Sequence, residues 1–237
     1  MKIPFEVIYE DNHLLVINKP AGMLVQGDKT GDESLLEIGK QYIKEKYQKP
    51  GNVFLGSAHR LDRPVSGVLV FARTSKALSR MQELFREKQV QKTYYAVVKP
   101  APDYEFQELK HWIAKDKTKN ISRAYDKDGK NRKESMLSYR LLGRQGKLGL
   151  LEVNPTTGRP HQIRVQLSAV GCPILGDLKY HAQQTNPDGN IALHAHKIEF
   201  LHPVGKAKVW FQAALPKKDP WVLFEELIVG KFKSRHN

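Results

Sequence analysis

The sequence predicts an α+β fold in which a mixed, mostly antiparallel sheet carries packed helices. Short stretches of alternating or continuous apolar residues recur along the chain, and capped stripes at helical spacing interrupt them. The two kinds do not alternate regularly enough for a doubly wound parallel sheet.

Taken in order, Phe5, Val7 and Tyr9 alternate with Glu6, Ile8 and Glu10, and residues 14–17 form an apolar run closed by Pro20 and Gly22, so two strands and a turn open the chain. Ser34 with Glu37 three residues later is a capping-box pattern, and Leu35, Ile38, Tyr42 and Ile43 then make one helical stripe to about Tyr47. Residues 67–72 are a compact apolar strand. Thr74 or Ser75 caps a helix whose apolar face is Leu78, Met81, Leu84 and Phe85, ending near Lys88, and residues 93–98 return to strand. Residues 136–142 and 148–153, separated by glycines, read as a hairpin. Pro160 fits the first turn of a short helix that ends at Gly171. Residues 191–200 and 208–214 are strands, and Asp219-Pro220 opens a final helix to about Val229.

The chain has 237 residues with no internal repeat, flexible linker or low-complexity tract, so a single domain over 1–237 is expected. No apolar run approaches the ~20 residues a membrane helix needs, and Glu6, Glu10 and Asp11 stand where a signal peptide would be apolar. A cytoplasmic protein without a membrane partner is expected. The lone cysteine, Cys172, excludes an internal disulfide and any site built from several thiolates.

Lys and Arg number 39 against 25 Asp and Glu, a formal +14 with a pI near 9.7. A field of that sign gathers polyanions, of which nucleic acid is the commonest in a cytoplasm. Between residues 110 and 133 stand nine Lys or Arg and three acids, so this stretch reads as an exposed basic loop or hairpin able to track phosphates. A weaker basic run is the tail Lys231, Lys233 and Arg235.

The chain lacks a phosphate-binding Gly-rich loop, a dinucleotide fingerprint, a nucleophile elbow and a His-Glu-x-x-His zinc motif. His194 and His196 face the same way on a strand, without an evident third ligand, so no metal is expected. Two segments concentrate polar chemistry. His59-Arg60-Leu61-Asp62-Arg63-Pro64-Val65-Ser66-Gly67 sets a carboxylate between arginines just before an apolar strand. Thr157-Gly158-Arg159-Pro160-His161-Gln162-Ile163-Arg164 sets basic groups at a helix start, where unpaired N–H groups favour anions.

Together these segments resemble the RluA family of RNA pseudouridine synthases. The likeness runs from about residue 5 to 215 and includes, in the same order, residues 16–23 (Val-Ile-Asn-Lys-Pro-Ala-Gly-Met), 92–98 (Lys-Thr-Tyr-Tyr-Ala-Val-Val), 173–177 (Pro-Ile-Leu-Gly-Asp) and 193–196 (Leu-His-Ala-His). It implies the pseudouridine synthase catalytic fold and isomerisation of uridines in structured RNA, either transfer or ribosomal, with no cofactor. Asp62 corresponds to the family's catalytic aspartate, acting as nucleophile or base. Arg164 matches the arginine that ion-pairs with it. Tyr94 matches the tyrosine that stacks under the target base, and adjacent Tyr95 must face away from it on a strand. Arg60 matches the arginine that fills the stack when the uridine flips out. Arg63, Arg159 and His161 join the substrate-binding candidates from the same two segments, and His59 stands open between a substrate-binding role and a structural one.

Val65 and Pro160 stand where many members carry threonine. The S4-type RNA-binding module of larger members finds no room here, so affinity is expected to come from the catalytic domain, with Lys115, Lys117 and Lys119 on the RNA backbone and a monomer as the working form. A catalytically silent RNA-binding protein and an aspartate-dependent hydrolase are the alternatives; the second would want another carboxylate beside Asp62.

Overall fold

A computed structural model of the chain describes residues 3–116 and 118–228. The chain packs as two compact units, one from Met1–Lys92 with Ala195–Ala214, the other from Thr93–His194 with Leu215–Asn237. The class is α+β, as the sequence predicts.

In the first unit, β1 (Glu6–Glu10) and β2 (Leu14–Lys19) form the opening hairpin. Ser34 caps α1 (Leu35–Lys46), its hydroxyl accepting the Glu37 N–H. After β3 (Gly56–Ser57) comes β4 (Ser66–Ala72), antiparallel to both β2 and β3 and buried over its whole length. A strand covered on both faces is apolar along its interior, here from Val68 to Ala72 after the buried Ser66, and each fully buried Val or Leu in it adds about 1.5–3 kcal/mol. Thr74 caps α2 (Ser75–Arg86), which lays Ala77 and Met81 inward. β10 (Leu193–Leu201) and β11 (Lys208–Gln212) pair antiparallel, and strand neighbours run β1-β2-β4-β10.

In the second unit the order is β5-β9-β8-β6-β7. Its strands are β5 (Gln91–Val98), β6 (Phe106–Asp116), β7 (Ile121–Tyr125), β8 (Lys133–Gln145) and β9 (Leu148–Pro155), with antiparallel pairing throughout this order. The basic stretch is therefore a hairpin: β6 carries Lys115, and the turn between β6 and β7 carries Lys119. Lys117 lies outside the described residues, as do Lys231, Lys233 and Arg235 of the tail.

α3 spans Gln162–Ala169, two residues later than Pro160 suggests. Pro160 instead occupies a corner of a turn in which the Gln162 N–H donates to the Arg159 carbonyl at 3.1 Å, and His161 is left-handed with φ of 55°. The closing helix begins as a 3-10 turn at Trp221–Phe224 and continues to residue 228; Val229 lies outside the described residues. Among the described residues no helix is long and apolar enough to cross a membrane, and no cluster of three or more His, Cys, Asp or Glu is placed to hold a metal ion.

Candidate active site

Asp62 lies in the loop that leads from β3 into β4, half-buried, with its carbonyl accepting the Val65 N–H at 3.0 Å to close the turn. Behind this turn is a lysine that sequence reasoning misses. Lys19, the last residue of β2, has no exposed surface. Its Nζ donates to the carbonyls of Pro20 at 2.9 Å, Arg63 at 3.1 Å and Val65 at 2.8 Å. An ammonium has three donors and here meets three acceptors. Burial pushes its pKa down to about 7, with Asp62 pulling it back up and Arg63 adding to the fall. The same two loops are laced again by the Gly22 N–H to the Arg63 carbonyl at 2.8 Å and by Arg63 Nε to the Gly22 carbonyl at 2.9 Å. The signal for Lys19 is its place in the Asn-Lys-Pro stretch, but a sequence does not say which lysine is buried.

The flanking residues take different positions. His59 is half-buried, stacked on Phe85 of α2 with ring centroids 4.9 Å apart, and its Nε2 accepts the Val70 N–H at 3.1 Å. It thus takes up a β4 donor just beyond the short β3 pairing. Burial, helped by nearby Lys92, pushes its pKa down to about 3, so the ring is neutral. Arg60 is exposed on the loop. Arg63 is also exposed and pairs with Asp32 at 2.7 Å.

In the second unit, β5 sets Tyr94 opposite Val153 and Tyr95 opposite Glu152, so the two tyrosines face opposite sides as strand parity requires. Val153 is in turn opposite Tyr139, and Tyr139 opposite Gln107, which shares its side of β6 with Leu109, His111 and Ile113. α3 covers that side: Gln166 reaches the Leu109 carbonyl and His111, and Val165 packs with Ile113. Tyr94 and the helix carrying Arg164 therefore share one face of this sheet. Tyr94 is half-buried there, while Tyr95 is 4% exposed on the other.

Arg164 is buried, and its Nε and Nη2 meet the two oxygens of Asp177 at 2.7 and 2.8 Å. Its guanidinium lies 5.0 Å from the centre of the Tyr180 ring. Arg159 donates from Nε to the Glu134 carbonyl at 3.2 Å, and its N–H goes to Gln162 Oε1 at 3.0 Å. His161 Nδ1 lies 2.7 Å from the Tyr180 hydroxyl. Lys115 and Lys119 are exposed, with Asp116 Oδ1 accepting the Thr118 and Lys119 N–H groups at 3.0 Å each to shape the hairpin turn. His194 and His196 are both buried on β10, and burial pushes His196 down to about 4.

Taken singly, Asp62 offers a half-buried carboxylate on a pinned turn, Arg164 a buried guanidinium held by Asp177, and Tyr94 a half-buried strand phenol, side-chain types able to serve acid–base or nucleophilic chemistry. Comparison with known proteins adds the family. A chain named ribosomal large subunit pseudouridine synthase C from Vibrio cholerae is 35% identical over 215 residues, 88% of this chain and 65% of that relative's length. A synthase D from Zymomonas mobilis is 32% identical over 238 residues, 96% of this chain and 74% of the relative. The chain thus spans about two thirds to three quarters of the length of these relatives. In fold it is similar to the human RNA pseudouridylate synthase domain containing 4, with a TM-score of 0.76, 24% identity, and coverage of 94% of this chain and 92% of the other. The family profile itself matches residues 13–169, a span that holds Asp62, Tyr94 and Arg164, and on that match the chain belongs to the RNA pseudouridylate synthase family.

Proposed function

We propose that this chain isomerises uridine to pseudouridine in large-subunit ribosomal RNA. The names of the Vibrio and Zymomonas relatives, both large-subunit ribosomal pseudouridine synthases, support that substrate for this chain. The reaction breaks the N1–C1′ bond, turns the uracil and joins C5 to C1′; C5 gives up its proton and N1 ends protonated, so nothing is oxidised or reduced. Asp62 acts on the sugar, as a nucleophile at C1′ or as a base at C2′. Arg164 takes the part of the family's arginine in the reaction, Tyr94 stacks on the uracil and helps move the C5 proton, and Arg60 fills the gap left by the flipped nucleotide. His59, Arg63, Arg159 and His161 shape the surroundings, and Lys115 and Lys119 hold phosphates.

The observation that carries the reading is the Asp62 turn. Asp62 stands in sequence between the exposed Arg60 and Arg63, on a loop whose Arg63 and Val65 carbonyls are tied to a fully buried lysine, so the acid is presented on a rigid support. Preorganised placement of the reacting group is what such a step needs. The test is chemical mapping of pseudouridine in ribosomal and transfer RNA from cells lacking the chain and cells given it back. A ribosomal site lost and then restored by wild type, but not by Asp62→Asn, is expected. Unchanged ribosomal RNA with a site lost only from transfer RNA would overturn the substrate, and restoration by Asp62→Asn would overturn the mechanism.

A further inference from the structure

Arg164 is one of the most thoroughly held side chains among the described residues, and the residues that hold it lie beyond the segment matched by the family profile. Asp177 is 1% exposed and meets the arginine fork with both oxygens at 2.7 and 2.8 Å, which fixes the guanidinium plane as well as its place. Asp177 is itself fixed. It follows Gly176, whose φ of 87° and closeness to the Asn190 carbonyl, 2.6 Å from where a Cβ would be, leave no room for a side chain. Its own carbonyl accepts the Tyr180 N–H at 2.9 Å and the Ala182 N–H at 3.1 Å.

Tyr180, 2% exposed, completes the clamp. Its ring lies 5.0 Å from the guanidinium, and its hydroxyl is pinned at the far end, accepting the Ser122 N–H of β7 at 2.8 Å and lying 2.7 Å from His161 Nδ1. Lys179 adds a bond from Nζ to the Asn120 carbonyl in the hairpin turn at 3.3 Å. α3, the Leu178–Tyr180 turn and the basic hairpin thus converge on one arginine. A buried ion pair is weak evidence for stability, since well-packed apolar residues often serve as well. What this arrangement provides is a single guanidinium orientation, because only one plane satisfies both carboxylate oxygens while facing the ring.

We infer that Asp177 and Tyr180 are positioning residues for Arg164: Asp177 sets the guanidinium plane, and Tyr180 braces it against β7 and His161. The inference rests on the reading of Arg164 as part of the catalytic machinery. In the full chain, Asp177→Asn is expected to lower kcat for C5 tritium release by about a hundredfold while KM stays within about threefold, because misorientation harms the step more than binding. Asp177→Glu should recover part of that loss, and Tyr180→Phe should cost about tenfold in kcat. Independently of activity, the Arg164 Nε–H resonance in a nitrogen-15 spectrum, assigned by its loss in Arg164→Lys, should exchange slowly in wild type and rapidly in Asp177→Asn.

Retention of wild-type kcat in Asp177→Asn, or a rise in KM alone, overturns the positioning role. If circular dichroism finds Asp177→Asn unfolded, Tyr180→Phe decides: kcat equal to wild type overturns the brace, and a tenfold fall supports it. A wild-type chain inactive on ribosomal RNA would defeat the functional reading, and the exchange rates would still decide the clamp.

Discussion

His59 sits beside Arg60 and Asp62 in sequence and invites a substrate role, yet its Nε2 is committed to the Val70 N–H. That role is illegible in the sequence because Val70 comes eleven residues later, and its N–H faces the histidine only once β3 and β4 are formed. The consequence is measurable in acid. A ring held at about 3 when folded and near 6.5 when unfolded contributes stability that is full above about pH 6.5 and is lost as the pH falls toward 3, because the unfolded chain then binds the proton the folded chain refuses. From 6.5 to about pH 5 wild type should lose roughly 2 kcal/mol more than His59→Gln, whose amide oxygen can accept the same bond without titrating. Equal losses in urea titrations at the two pH values would contradict the assignment. Lys19 is the converse case, a residue that composition counts as surface charge and the fold buries completely. Lys19→Met leaves three loop carbonyls without their donor, and a fall in kcat of about tenfold or more is expected, with RNA affinity kept. Wild-type turnover in that variant would show the Asp62 turn to be self-supporting.

Elements are legible where their signals are local. Ser34 and Thr74 cap the helices their spacing announces, since a capping bond spans three residues and needs no tertiary partner. Pro160 misleads because proline suits a turn corner as well as a first helical turn, and here the Gln162 N–H goes to the Arg159 carbonyl of that turn. Short β3 carries no signal, two residues being too few for a pattern. Gly67, which the sequence shows only as the start of an apolar strand, proves essential to packing. Its φ is 117°, and a Cβ would come within 2.2 Å of the Ala195 carbonyl oxygen in β10. Gly67→Ala therefore combines backbone strain with overlap and should cost about 3 kcal/mol or more in denaturant unfolding. A loss under about 1 kcal/mol would mean that β10 can withdraw with little penalty.

Across the whole molecule, the +14 charge and the cluster in the 110–133 stretch are readable by counting, and the hairpin gives them a form, with Lys115 and Lys119 exposed at one end. The α+β class is legible from the irregular order of strands and helices. The division into two compact units is not, because two of its three boundaries fall inside β5 and β10, where no proline, glycine or serine run marks them, and the third, after Ala214, is marked only by Pro216. Nor is the pairing of Arg164 with Asp177, since the two are thirteen residues apart and only the folded turn after α3 brings them together. If the hairpin tracks phosphates, changing Lys115 and Lys119 together to Ala should lower the slope of log affinity against log salt by about 0.7 to 0.9 for each phosphate left without its cation. An unchanged slope would remove the hairpin from the RNA surface. The catalytic assignment is tested most directly by tritium release from ribosomal RNA labelled at C5 of uridine, with wild type beside Asp62→Ala. Release by wild type and none by Asp62→Ala is the expected result; equal release by both, or none by wild type with the RNA still bound, would contradict it.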